Sequence, residues 1–262
     1  MAVGRMVNWM IKPLGVRLVN TADFPPPGSA VDPKIYDEDG LRTVHNSGFV
    51  SDPEFVRAYQ RAVKAAGQDY HYRWRVHVAL WAAWCASRLE GDFVECGVSW
   101  GSVSSAIMES LHWDNTGKTF FLLDTFAGLD DRVLTDAERA DGILDMQTRL
   151  KSMGYYALNV DSVRANFAQW KNVRIIQGTV PDTLKEIAAE KIAYLHLDMN
   201  CSAPEVAAAE YLWDRLVPGA LILMDDYTYR GADLQYSAMN DFARRRGTKI
   251  LSLPTGQGLI IR

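Results

Sequence analysis

Phe93-Val94-Glu95-Cys96-Gly97-Val98-Ser99-Trp100-Gly101-Ser102-Val103-Ser104-Ser105 decides the fold class of this 262-residue chain. A short apolar run closes on Glu95, and a Gly97-x-x-x-Gly101 turn then opens a helix. The first strand of an open α/β sheet presents its carboxyl end to a small charged cofactor in this way. The acid narrows the choice of cofactor. A carboxylate would repel a pyrophosphate drawn up to the turn, whereas it would hold an ammonium group. The turn therefore favours S-adenosylmethionine (SAM), which carries an amine and a sulfonium, over a nicotinamide dinucleotide.

Outward from this turn, short apolar runs alternate with helical patterns. Strands are expected at 93–96, 119–123, 173–177, 192–197 and 220–224, and helices at 102–111, 181–190, 203–216 and 234–245. Such alternation predicts a parallel sheet covered on both faces. Two last strands, 249–253 and 259–261, are joined by Pro254-Thr255-Gly256-Gln257-Gly258 and read as a hairpin-like return. The expected architecture is α/β, a seven-stranded Rossmann-like sheet of the class I methyltransferase kind. It is mostly parallel, with an antiparallel last strand and helices on both faces.

Upstream, 52–66 and 70–89 have helical spacing, with Asp52 and Pro53 suited to open the first. Pro25-Pro26-Pro27-Gly28 breaks the chain, and 20–40 reads as an extended arm or linker. Residues 6–19 are apolar without a cleavage pattern, and are expected to pack on the domain or on a partner subunit. The expected division is an N-terminal arm with helices over 1–69 and a cofactor-binding domain over 70–262. The long stretch 125–172 opens with an acidic, glycine-containing loop and is expected to form a lid.

Composition excludes several function classes. Hydrophobic residues make up 48% and charged residues 23%, with a net charge of −4. No basic stripe suits nucleic acid or an anionic membrane, and no apolar run is long enough to span a bilayer. Cys85, Cys96 and Cys201 form neither a CxxC nor a metal spacing, which suits reduced thiols in a cytoplasmic protein. His71 and His77 read as helix-face or core residues.

Ligands of such sheets bind beyond the carboxyl ends of the strands, and acids gather there. Glu95 ends the first strand, Asp124 the second, Asp198 the fourth, and Asp225 and Asp226 the fifth. Glu95, with Gly97, Ser99 and Ser104 of the turn and helix, Asp124 and Thr125, and Gly178 and Thr179 after the third strand, are the candidate cofactor contacts. Asp124 can accept both ribose hydroxyls, and 178–180 can meet an adenine edge. The fourth and fifth strands are expected neighbours, so Asp198, Asp225 and Asp226 converge and would repel one another without a cation. An all-oxygen set favours Mg²⁺, with Mn²⁺ or Ca²⁺ as alternatives, and Asn200 can add a neutral oxygen. Coordination would acidify a substrate hydroxyl. Asp198 is the first candidate for general base, with His196, lower on the same face, as second.

Glu-Cys-Gly-Val-Ser-Trp-Gly at 95–101, Leu-Leu-Asp-Thr-Phe-Ala-Gly-Leu at 122–129, Gly-Thr-Val-Pro-Asp-Thr-Leu at 178–184, Leu-His-Leu-Asp-Met-Asn at 195–200 and Met-Asp-Asp-Tyr at 224–227 together resemble the macrocin O-methyltransferase family. The resemblance covers roughly 70–262. It implies a SAM- and Mg²⁺-dependent enzyme of natural-product biosynthesis that methylates a hydroxyl of a sugar-containing or polyhydroxylated small molecule. It also implies that Glu95 and Asp124 hold SAM, that Asp198, Asp225 and Asp226 hold the metal, and that the protein is a homo-oligomer. Two departures stand out. Asn200 lies where the family often has Asp, and no histidine falls between His112 and His196, so a lid histidine is not available as base. Two other readings stay open at this point: a nicotinamide-dependent oxidoreductase, opposed by Glu95 and the missing GxGxxG, and a non-catalytic SAM-binding module, opposed by the intact acids.

Overall fold

The computed structural model describes residues 35–262. The expectations for 6–19 and for the break at 25–28 lie outside the described residues. The chain divides into two units between Gly48 and Phe49. In the first, the stretch expected to be linker holds a short hairpin of β1 (Tyr36–Glu38) and β2 (Leu41–Thr43). Its turn is Asp39-Gly40, both at positive φ, the pairing that a tight two-residue hairpin loop demands. Asp37 and Arg42 face each other across it, 3.0 Å apart.

The second unit begins with α1 (Pro53–Ala66). Asp52 caps it by accepting from the backbone N–H groups of Glu54 and Phe55, and Gly67 ends it in the left-handed region. α2 (Arg73–Ser87) follows, shorter at both ends than the sequence pattern. The remaining strands are β3 (Asp92–Cys96), β4 (Phe120–Asp124), β5 (Val173–Gln177), β6 (Ile192–Leu197), β7 (Leu216–Met224), β8 (Leu251–Ser252) and β9 (Gly258–Ile261). Between them run α3 (Ser102–Ser110), α4 (Asp136–Ala140), α5 (Ile143–Ser152), α6 (Val160–Phe167), α7 (Ser202–Leu212) and α8 (Asp233–Arg245). α1 packs against α3, so the division expected at 69/70 falls inside this unit.

The sheet order is β5-β4-β3-β6-β7-β9-β8. The first five are parallel, and β9 runs antiparallel to both β7 and β8. The class I methyltransferase architecture read from the sequence is therefore the observed one. Period-two alternation builds a core on each face. Phe93, Phe120, Leu122, Leu221 and Leu223 pack to one side, and Val94, Phe121, Leu123, Ile222 and Met224 to the other. Each such buried side chain contributes ~1.5–3 kcal/mol.

The helix expected at 181–190 is absent. Only a single 3-10 turn forms there, at Leu184–Glu186. Leu184 and Ile187 bury their side chains three residues apart, which one tight turn achieves, and Ile187 is already extended. The helix expected at 203–216 stops at Leu212, and β7 begins four residues before the expected 220. No helix among the described residues is long and apolar enough to cross a membrane.

Candidate active site

The rim of the sheet is built by backbone bonds that continue one residue past each strand. Gly178 N–H donates to the Asp124 carbonyl, Gly97 N–H to Leu123, Asp198 N–H to Cys96, and Asp225 N–H to Leu197, at 2.8–2.9 Å. Side chains leaving these positions therefore start from fixed points along one edge. Gly97 has φ +90, and a Cβ there would overlap the Asp198 carbonyl, so the turn after β3 and the end of β6 meet backbone to backbone.

Asp124 organises the cofactor half. One carboxylate oxygen accepts from Val98 N–H and Ser99 N–H, both at 2.8 Å, and the other from Phe126 N–H at 2.7 Å. Thr125 has a single hydroxyl proton, which goes to the Gly128 carbonyl at 2.5 Å rather than to Asp124 at 3.4 Å. One acceptor site on Asp124 Oδ1 thus remains, facing a cleft of about 720 Å³. Gly97, Ser99, Thr125, Gly178, Thr179 and Asp198 line the same cleft.

Glu95 and Ser104 are not in that lining. Ser104 is fully buried. The Glu95 carboxylate is 3% exposed and lies 2.8 Å from His196 Nδ1, its register partner on β6. One Glu95 oxygen is thus engaged by an imidazole, and the other, Oε2, has no hydrogen-bond partner among the described residues. Burial pushes His196 down, but Asp225 and Glu95 outweigh it and lift its pKa to about 10.

Asp225 and Asp226 lie beside Asp198 but outside the cleft lining, joined to Arg75 of α2. Burial drives Asp225 up, yet the Arg75 charge and the neighbouring His196 ring together hold it well below the usual carboxylate range. Burial and then the charges of Asp225 and Asp226 raise Asp198 well above that range, outweighing the His196 and Arg75 charges that pull it down. Its hydrogen-bond donor among the described residues is Asn200 Nδ2, at 3.3 Å. Glu205, which the sequence reading did not single out, joins the cluster from the first turn of α7. Burial and the Asp226 charge lift it to about 8.

The stretch expected to be a lid forms one wall of the cleft. It supplies Asp130, Val133, Gln147 and Tyr156. Thr179 donates its hydroxyl proton to Asp130 at 2.6 Å, and Gln147 Nε2 donates to the Tyr156 hydroxyl at 2.9 Å. Glu138 of α4 caps its own helix through Thr135 and accepts from Ser202 N–H, at the start of α7, at 2.6 Å. Ser99 Oγ spends its hydrogen bonds on the lid, donating to the Tyr155 carbonyl and accepting from Ala157 N–H. Gln147 carries no local motif, Tyr156 is one of several aromatic residues that could line a pocket, and Glu138 closes a Thr135-x-x-Glu138 capping box that gives no hint of Ser202. Cys201 lines the cleft, but burial pushes its thiol up, away from nucleophilic use.

An oxygen-only set at Asp198, Asp225 and Asp226 matches the chemistry of a hard dication, and the raised Asp198 is what one would relieve. The arrangement does not close on a common point, however. Among the described residues, no three His, Cys, Asp or Glu side chains form a metal-holding group, and Arg75 stands among the Asp225 and Asp226 oxygens.

A family model described as Macrocin-O-methyltransferase (TylF) matches residues 76–250. The 8-demethyl-8-(2,3-dimethoxy-alpha-L-rhamnosyl)-tetracenomycin-C 4'-O-methyltransferase of Streptomyces olivaceus is 30% identical over 169 residues. That match covers 62% of this chain and 61% of the relative. Among solved structures, the O-methyltransferase NovP superposes with a TM-score of 0.64 at 19% identity, covering 83% of this chain and 99% of its own. The calicheamicin methyltransferase CalS11 follows at 0.56 and 15%, covering 90% and 99%. Both are similar in fold.

Proposed function

The chain belongs to the macrocin O-methyltransferase family, and from that premise we propose that it moves the methyl group of SAM to a hydroxyl of a sugar-containing natural product. The observation that carries this reading is the position of Asp198. It lines the same cleft as the Asp124 turn, where burial and the charges of Asp225 and Asp226 raise its carboxyl well above the usual carboxylate range. The rhamnosyl acceptor named for the Streptomyces olivaceus relative makes a deoxysugar hydroxyl the first choice of substrate.

The roles follow from geometry. Asp124 holds the Gly97–Ser99 turn in place and offers its remaining acceptor site to a ribose hydroxyl. Gly178 and Thr179 line the purine side of the cleft. The lid, tied down by Glu138 and Asp130, keeps water from the acceptor. Asp198 is placed to take the acceptor's proton as the acceptor oxygen bonds to the methyl carbon and the methyl–sulfur bond breaks, the donor leaving as the thioether. Asp198, Asp225 and Asp226 would hold a divalent ion, which when bound acidifies the acceptor hydroxyl and offsets the three carboxylates. Homo-oligomeric assembly and a cytoplasmic location belong to the same reading, and sedimentation and cell fractionation test them.

The decisive experiment pairs a calorimetric titration of S-adenosylhomocysteine (SAH) with a mass-spectrometric assay on rhamnosylated polyketides. SAH binding with a methyl gain on the sugar is expected. NADH binding without SAH binding would overturn the assignment.

A further inference from the structure

Arg75 Nη2 is placed as a bound cation would be. It lies 2.5 Å from the Asp225 carbonyl oxygen, 2.7 Å from Asp225 Oδ2 and 2.8 Å from Asp226 Oδ1. One nitrogen with two hydrogens thus serves three oxygens. The guanidinium carbon sits 4.7 Å over the Tyr229 ring, and the three charged side chains are only 12–13% exposed.

The other Asp225 oxygen is engaged as well. Gln257 Nε2 donates to Asp225 Oδ1 at 2.8 Å, and His196 Nε2 is 3.6 Å from it. With Gln257 and His196 crowding Oδ1, an ion approaching Asp225 through Oδ2 meets the oxygen that Arg75 holds. Two cations at bonding distance from one oxygen repel strongly in a site this sheltered.

We propose that Arg75 is the built-in competitor of the divalent ion: it neutralises Asp225 and Asp226 when no ion is bound, and Nη2 must leave their oxygens for an ion to load. The proposal rests on the reading that this rim takes a dication. It makes α2, which carries Arg75, a structural reporter of loading, and Arg75 a positioning residue for the acid pair.

The test is Mn²⁺ binding, followed by electron paramagnetic resonance on the full chain with no acceptor present. Arg75→Gln removes the charge and keeps a hydrogen-bond donor, whereas Arg75→Lys keeps the charge. Arg75→Gln is expected to bind Mn²⁺ roughly tenfold tighter than wild type, and Arg75→Lys to stay within about threefold of it. A merely structural role would move both variants alike. Tyr229→Leu withdraws the ring beneath the guanidinium, leaves Arg75 in place, and should tighten Mn²⁺ by about threefold. It carries the test if Arg75→Gln fails to fold, which SAH binding reports. Wild-type Mn²⁺ binding that neither Arg75→Gln nor Tyr229→Leu tightens overturns the competition and leaves the dication reading standing. No Mn²⁺ binding by any SAH-competent form removes both.

Discussion

The Glu95 carboxylate and the His196 ring are register partners on adjacent parallel strands, 2.8 Å apart and closed to solvent. His196 reaches in turn toward Asp225, 3.6 Å from its other nitrogen. A carboxylate at the end of the cofactor strand is thus directed along the sheet, toward the acid pair. Glu95→Gln should leave SAH affinity within about threefold and cost ~3–5 kcal/mol of stability, the penalty for breaking a buried pair. Urea melts and SAH titration check it. A collapse of SAH affinity with stability intact would return Glu95 to the donor.

His196 gives a pH signature. Its pKa in the fold, about 10, lies above its ordinary 6.5. The stability it contributes is complete below pH 6.5 and fades as pH rises through about 10. Thermal melts between pH 7 and pH 10 should show a falling Tm in wild type. The fall should be shallower in His196→Asn, and equal slopes would refute the paired imidazolium.

Asp198→Asn should separate function from stability. Burial and two neighbouring carboxylates raise Asp198, so its ionisation weighs against the fold as pH climbs above its ordinary value of 3.8. The amide removes that load. At pH 8 the variant should melt higher than wild type, bind SAH normally, and lose ~10²–10⁴ in methyl transfer. Undiminished turnover would exclude Asp198 as the base.

Asp124→Asn puts an amide where three backbone N–H groups need an acceptor. SAH affinity should fall by ~1–3 kcal/mol, the cost of leaving such donors unserved. Isothermal titration reads this directly, and an unchanged affinity would mean that the turn does not depend on this carboxylate.

The succession of strands and the acid rim are legible in the sequence because both follow from short-range pattern. Short, nearly continuous apolar runs mark β3 to β7, and a strand-terminal acid such as Asp198 or Asp225 interrupts its run at the residue where the ladder ends. What the sequence hides is pairing at long range. Arg75 meets Asp225 across 150 residues, and Glu138 meets Ser202 across 64. Arg75 lies in no motif, and the capping box that contains Glu138 says nothing of Ser202. Glu95 is the sharper case. Its position is readable, but its partner is another strand's side chain, which only the register reveals. The turn at 184–186 differs from the expected helix because two buried apolar residues can be satisfied without one. The Asp39-Gly40 hairpin carried its own signal inside a stretch whose proline content suggested linker.

α7 starts at Cys201 without a side-chain cap of its own, and its leading amide is bonded instead by Glu138 from across the cleft. A helix that borrows its cap from a wall of the pocket frays whenever that wall lifts. Ligand entry and the fraying of α7 are then one event. In deuterium exchange, the amides at the head of α7 would label in step with those of α4, and both would slow together once the cleft is filled.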